Sequence, residues 1–126
     1  MGETEVRCEC LKWIRLQIFG SGLRGVIPFR CVRDSTVLAL SVYDKGIERV
    51  LGSYPNKAWT AEQLRKVESE LVPCSCGGMF VHNALPKCPY CWSILRLGGL
   101  NPDEVIVVQG KLIDSEQHNA WKTKID

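Results

Sequence analysis

Short runs of apolar residues, several of them alternating with polar ones, fill the first half of the chain. The run over residues 11–19 alternates in part, which predicts a strand with one buried face. Residues 26–32 are a second candidate, and Pro28 restricts that strand to a sheet edge because proline has no N–H to donate. The β-branched and apolar residues 36–43 are a third candidate, and residues 47–51 are a shorter fourth. Together these runs predict a small antiparallel sheet.

A helical repeat replaces this alternation after residue 58. Thr60, followed three residues later by Gln63, has the pattern of a capping box, and Pro73 ends the run. We therefore predict one helix over about residues 61–72. Three apolar residues recur at the spacing of one helix face: Leu64, Val67 and Leu71.

Two short strands are predicted after the cysteine-rich segment, over residues 93–97 and 104–109. The second is a continuous apolar run, which is typical of a strand buried on both faces. Trp121 is the candidate anchor for the polar tail. We expect an α+β protein, with an antiparallel β region over residues 1–58. The helix, the cysteine-rich segment and a closing strand fill residues 59–126, and both parts share one core.

Charge and hydropathy restrict the classes of protein to consider. The chain of 126 residues carries 16 basic and 14 acidic side chains, a net charge of +2. General nucleic-acid binders usually show a clear basic excess, so this balance weakly disfavours that role. The N-terminus lacks the apolar stretch of a secretory signal, and no apolar run reaches the roughly 18 residues of a membrane span. We therefore expect a soluble, cytoplasmic protein that does not bind a membrane.

Seven cysteines are many for a chain of this length, and their odd number excludes complete disulfide pairing within one molecule. Thiols stay reduced in the cytosol, where closely spaced cysteines more often bind metal. Four of them form two close pairs, Cys74-x-Cys76 and Cys88-x-x-Cys91, which eleven residues separate. Zinc prefers four ligands in a tetrahedron, and two turns that each present two thiolates would complete such a shell.

The same segment resembles the zinc-ribbon family through Cys74-Ser-Cys-Gly-Gly and Cys88-Pro-Tyr-Cys91, over about residues 73–97. The resemblance implies two metal-binding turns joined by a hairpin. It also implies one structural zinc ion with a closed coordination shell, held by Cys74, Cys76, Cys88 and Cys91. The sequence departs from the usual ribbon in two ways: the first pair has one intervening residue instead of two, and the interval between the pairs is short.

Other interpretations of these four cysteines remain open. They could be free thiols in a small core. Cys88 and Cys91 could also form a redox dithiol, although the βαβ context of such a motif is absent. His82, which lies between the pairs, could replace one cysteine as a ligand, but an exposed strand residue is the simpler interpretation.

The remaining cysteines raise the question of a second site. Cys8, Cys10 and Cys31 could bind zinc with His118, an acid or water as the fourth ligand, but such cysteines are more often small buried apolar residues. The spacing of Cys8-Glu-Cys10 repeats that of Cys74-Ser-Cys76, which hints at an internal repeat.

A closed metal site, a near-neutral charge and the lack of a catalytic constellation favour a protein-binding module or adaptor over an enzyme. One specific form is a bacterial inhibitor or immunity-type protein that blocks a partner enzyme. The alternative is a nucleic-acid-binding zinc ribbon of the transcription or translation machinery, in which aromatic side chains stack on bases beside basic ones. The candidates for that role are Phe80, Tyr90, Trp92, Lys87 and Arg96.

Overall fold

The computed structural model describes residues 2–18, 26–55, 58–102, 105–107, 112–114 and 119–122. These residues form an α+β fold, as predicted, with seven strands in two sheets and two helices. The strands are β1 (Gly2–Arg7), β2 (Trp13–Ile18), β3 (Val26–Cys31), β4 (Val37–Ser41), β5 (Phe80–Val81), β6 (Val105–Val107) and β7 (Leu112–Asp114). The helices are α1 (Lys45–Leu51) and α2 (Ala61–Ser69). Neither of these described helices has the length and apolar character needed to span a bilayer.

Each sheet combines strands from both halves of the chain. In the first sheet, β2 lies between β1 and β6 and is antiparallel to both. The second sheet has the order β5-β3-β4-β7, in which β7 runs parallel to β4 and the other pairs are antiparallel. Pro28 pairs with Ala39 of β4, whereas β5 pairs with β3 further along, at Arg30 and Cys31. The proline therefore lies at a sheet edge, as its missing N–H predicts.

The segment 47–51, predicted as a short strand, instead belongs to helix α1. The Asp44 carboxylate accepts the N–H of Gly46 at 2.9 Å and caps the first turn. Gly52 ends the helix in the left-handed region, at φ 84°. These two caps outweigh the strand preference of the β-branched residues between them.

Helix α2 confirms the helix predicted over residues 61–72, although it ends earlier, at Ser69. The Thr60 hydroxyl accepts the Gln63 N–H at 3.1 Å, and the Gln63 side chain accepts the Thr60 N–H at 2.9 Å. This is the complete capping box that the spacing of the two residues predicts. Val67 on the apolar face is fully buried.

The other two predicted strands are shorter in the structure. Residues 93–97 contribute one isolated bridge, between Ile94 and Lys87. Within residues 104–109, strand β6 comprises Val105–Val107, and all three side chains are buried, as a continuous apolar run predicts. Residues 104, 108 and 109 lie outside the described residues.

The buried residues form two hydrophobic clusters, and both draw on residues from before and after position 58. A buried arginine, Arg30 of β3, links the two sheets. Its guanidinium group donates to the carbonyl oxygens of Ala84, Pro102 and Val105 at 2.9, 2.9 and 2.7 Å. The larger cluster includes Phe29, Leu38, Val67 and Phe80, and the smaller includes Ile14, Leu16, Leu95 and Val107.

Trp121 attaches the C-terminal segment to the start of α1. Its Nε1–H donates to Asp44 Oδ1 at 2.9 Å, and its ring lies directly against Gly46, leaving no space for a side chain there. Gly46→Ala is therefore expected to displace the ring and to lower the free energy of unfolding by about 2 kcal/mol, as overpacking does. Urea denaturation measures this loss. Gly99→Ala is the matched control because its added methyl meets open space, and equal stability of the two variants would contradict the prediction.

Candidate metal centres

All seven cysteines are free thiols, and they lie in two groups. Cluster 1 comprises Cys8, Cys10, Cys88 and Cys91, and cluster 2 comprises Cys31, Asp34, Cys74 and Cys76. In each cluster the four ligand atoms lie within 4.8 Å of one another. Donors about 2.3 Å from a common ion in a tetrahedron lie roughly 3.8 Å apart, so either cluster has the spacing to hold one metal ion. The closest sulfur pairs are Cys8 and Cys91 at 3.3 Å, Cys31 and Cys76 at 3.4 Å, and Cys10 and Cys88 at 3.7 Å.

The structure does not bring the four predicted ligands into one site. Cys74 and Cys76 lie in cluster 2, whereas Cys88 and Cys91 lie in cluster 1. The strand that follows Cys76 does not form a hairpin with the segment before Cys88, because Phe80 of β5 pairs with Cys31 of β3. This pairing places a different cysteine beside the first predicted pair. The single site of the sequence-based prediction is thus replaced by two groups.

The turns over residues 8–10 and 74–76 have the same backbone hydrogen bonds. In each, the N–H of the first cysteine donates to the carbonyl four residues later, and its carbonyl accepts the N–H three residues later. These distances are 3.0 and 2.9 Å in the first turn, and 2.8 and 2.8 Å in the second. The residue after the second cysteine has a positive φ in both, 70° at Leu11 and 92° at Gly77. The spacing repeat in the sequence therefore reflects a repeat of structure.

The turns over residues 31–34 and 88–91 are also copies of each other. In both, the first cysteine donates its N–H to the carbonyl five residues later at 2.8 Å, and its carbonyl accepts the N–H four residues later at 3.2 or 2.9 Å. The N–H of the third residue donates to the first sulfur at 3.4 Å in each turn. The residue after the turn has a positive φ, 62° at Ser35 and 67° at Trp92.

Each cluster therefore consists of one turn of each kind, and Asp34 occupies the position that Cys91 has in the other copy. Sequence reasoning left the identity of a fourth ligand open among a histidine, an acid and water, and it grouped Cys31 with Cys8 and Cys10. The structure instead groups Cys31 with Asp34 and the pair at 74–76. The available signal was the spacing of Cys31-x-x-Asp34, which equals that of Cys88-x-x-Cys91. A carboxylate is an accepted ligand in such a position.

The surroundings of Asp34 keep its carboxylate ionised. Desolvation opposes ionisation, but hydrogen bonds from Thr36 and from the thiols of Cys31 and Cys74 outweigh it and lower the pKa of Asp34 to about 2. The Thr36 N–H donates to Asp34 Oδ1 at 2.9 Å, and the Cys74 thiol lies 3.5 Å from Oδ2. Burial raises the pKa of Cys31 to about 12. A metal ion would displace such thiol protons when it binds.

Two glycines fit the chain around cluster 2. Gly77 has the left-handed conformation described above, and the Gly78 N–H donates to Cys76 Sγ at 3.4 Å. A side chain on Gly78 would place its Cβ 2.5 Å from Cys31 Sγ. The glycine pair therefore lets the backbone approach the sulfurs, and hydrogen bonds of this type stabilise thiolate ligands.

Neither histidine is part of a described cluster. The His82 ring contacts the carboxylate of Glu68 on α2, so this side chain joins the helix to the segment after β5. His118 lies outside the described residues.

Large apolar side chains are exposed around cluster 1. We call these five residues the apolar patch: Leu11, Trp13, Tyr90, Trp92 and Ile94, each between 50% and 69% exposed. They lie within or directly after the two turns that cluster 1 brings together. Basic residues accompany them: Lys12 Nζ lies 4.3 Å from the centroid of the Tyr90 ring, and Arg7 lies 5.9 Å from that of Trp13.

Comparison with known proteins adds one finding. A family model described as a domain of unknown function, DUF8255, matches residues 4–96, a region that contains both clusters. No curated protein and no solved structure matches the chain.

Proposed function

The chain belongs to the DUF8255 family, and we propose that it is a protein-binding module whose fold is held by two structural zinc ions, one in each cluster. Soft thiolate ligands favour zinc over magnesium or calcium, and both three thiolates with a carboxylate and four thiolates are suitable donor sets. Four protein donors complete each shell and leave no position for a reacting water. We therefore assign no catalytic role to either ion.

The observation that carries the binding role is the difference between the two copies at their positive-φ positions. Cluster 2 has Gly77 and the buried Ser35 at these positions, whereas cluster 1 has Leu11 and Trp92, which are 69% and 52% exposed. A bulky residue in the left-handed region costs of order 1–2 kcal/mol. Its side chain recovers little of that cost by packing when it faces solvent. Contact with a partner would explain both side chains, and exposed tryptophan is typical of interface hot spots.

The functional prediction is a loss of binding without a loss of stability. Asparagine tolerates the left-handed region, so Leu11→Asn and Trp92→Asn should leave the free energy of unfolding unchanged or raise it by up to about 1 kcal/mol. The same variants should no longer retain a protein that co-purifies with the wild-type chain from its native cells. The retained protein must rebind after purification and nuclease treatment. The exposed Lys66→Ala on α2 is the control that should still bind.

A second candidate function has one observation in its favour. Lys12 and Arg7 lie over aromatic rings of the apolar patch, an arrangement that suits stacked bases next to phosphates. Binding to a single-stranded oligonucleotide would weaken steeply between 50 and 200 mM salt, by at least about tenfold for several phosphate contacts. An apolar protein interface would change little over this range. Salt-sensitive binding to the oligonucleotide through Trp92 would replace the protein-binding role.

Asp34 is expected to decide how firmly cluster 2 holds its ion. Asp34→Ala removes one donor and should weaken zinc binding at that cluster by at least about tenfold, whereas Asp34→Cys should bind zinc as cluster 1 does. Competition with a zinc chelator measures both changes. Glu9→Ala is the control, because this exposed acid lies inside a cluster 1 turn without being part of the cluster. Unchanged chelator resistance in Asp34→Ala would show that the carboxylate is not a ligand.

A further inference from the structure

The copies extend beyond the metal turns into the strands that follow them. The residue before each turn pairs with the residue three positions after it, Arg30 with Val37 in one copy and Lys87 with Ile94 in the other. The following sequences also correspond: Val37-Leu-Ala-Leu40 and Ile94-Leu-Arg-Leu97. The second residues, Leu38 and Leu95, are both buried. Residues 94–97 are therefore the counterpart of β4.

The outer edges of these two strands differ. Strand β7 pairs with β4 in parallel, with Val37 opposite Leu112, and Val37 is 1% exposed. Its counterpart Ile94 is 54% exposed. One copy of the strand thus has a neighbour that the other copy lacks among the described residues.

The backbone of the uncovered strand is positioned to accept such a neighbour. The Ser93 carbonyl accepts the Cys88 N–H at 2.8 Å, and the Leu95 N–H donates to Pro86 at 2.9 Å, so both groups face inward. Successive residues of a strand alternate in direction, so the N–H and C=O of Ile94 face outward. Neither group is hydrogen-bonded to any residue that the structure describes. Such an edge can template an added strand.

We propose that an extended segment of a partner protein adds to this edge, parallel to residues 94–97, as β7 adds to β4. This inference rests on the protein-binding role proposed above and names the chemistry of the partner. In β7 the sequence is Leu112-Ile-Asp114, and Asp114 lies opposite Ala39. The counterpart of Ala39 is Arg96, which is largely exposed and lies 3.5 Å from exposed Glu9. The partner segment should therefore carry two apolar residues followed by an acid that faces Arg96.

The test uses the chain's own residues 111–116 as a synthetic peptide, Lys-Leu-Ile-Asp-Ser-Glu. Titration into the full, zinc-loaded, ¹⁵N-labelled protein should shift the amide signals of Ile94 and Arg96 in a saturable manner. Ile94→Pro removes the outward N–H and should abolish these shifts, and unchanged zinc content would show that the variant is folded. Proline is tolerated at an edge.

A charge exchange tests the register. Arg96→Glu should lower the affinity for the peptide by about fivefold, the scale of one exposed ion pair, and a peptide with lysine in place of its aspartate should recover the loss. Arg65→Glu on α2 makes the same charge change and should have no effect. No shift at Ile94 with either peptide overturns the proposal.

The remaining outcomes separate the two proposals. Peptide binding that shifts Leu11 and Trp13 but leaves Ile94 unaffected overturns the edge assignment and keeps the protein-binding role. A dimer in sedimentation that Ile94→Pro dissociates makes a second copy of this chain the occupant, which also overturns the assignment. Salt-labile binding of an oligothymidine at Trp92, without peptide binding, overturns both proposals.

Discussion

Removal of zinc is expected to unfold the protein. Cys8, Cys31, Cys74 and Cys88 are at most 5% exposed, so the metal sites form part of the core. A structural zinc site contributes on the order of 10 kcal/mol or more, which matches or exceeds the whole net stability of a small domain, about 5–15 kcal/mol. A strong chelator should therefore abolish the dispersion of the amide NMR spectrum and most of the circular dichroism of the sheets.

Reversal of that unfolding is the control. Added zinc should restore the folded spectrum, whereas magnesium should not, because magnesium prefers oxygen ligands in an octahedron. A metal-free chain that keeps its native spectrum would show that the hydrophobic clusters suffice and that the ions are not structural.

The second large effect expected is on metal content. Cys8→Ser and Cys31→Ser should each lower the zinc content from two ions per chain to one, because each removes a ligand from a different cluster. Elemental analysis after extensive dialysis measures this change. A single site at Cys74, Cys76, Cys88 and Cys91 would instead leave both variants with the zinc content of the wild type.

Substitution with cobalt provides a readout that does not depend on full stability. Thiolate-to-cobalt absorption should report seven thiolates in the wild type, and each variant should lose the contribution of a different cluster. Ser75→Ala, inside a cluster 2 turn but not part of the cluster, should change neither the metal content nor the absorption. Loss of both ions in each single variant would mean that the clusters do not fill independently.

Features set by neighbouring residues were predictable from the sequence. The capping box of α2 is an example, because Thr60 and Gln63 are three residues apart. The caps of α1 were equally local, but Asp44 was interpreted as part of a turn, and the apolar residues after it favoured a strand. Pro28 was placed at a sheet edge correctly, since one missing N–H determines the outcome.

The pairing of the metal-binding turns could not be predicted in the same way. Proximity in sequence favoured a joint site for Cys74 and Cys88, whereas the structure pairs β5 with β3 and so separates these two cysteines. That choice depends on long-range strand pairing, which no local spacing specifies. The part played by Asp34 was hidden for a related reason, because an aspartate becomes a recognisable counterpart of Cys91 only after the two turns are superimposed.

The nesting of the two clusters along the chain has a consequence for biosynthesis. Cluster 2 joins residues 31 to 76, and this interval lies wholly inside the one from 8 to 91 that cluster 1 joins. A chain emerging from the ribosome therefore exposes every donor of the inner site before the outer site is complete. Cys8 and Cys10 must wait as unligated thiols for most of translation. We expect the inner ion to be captured first, and a nascent chain stalled shortly after Gly78 to hold a single metal.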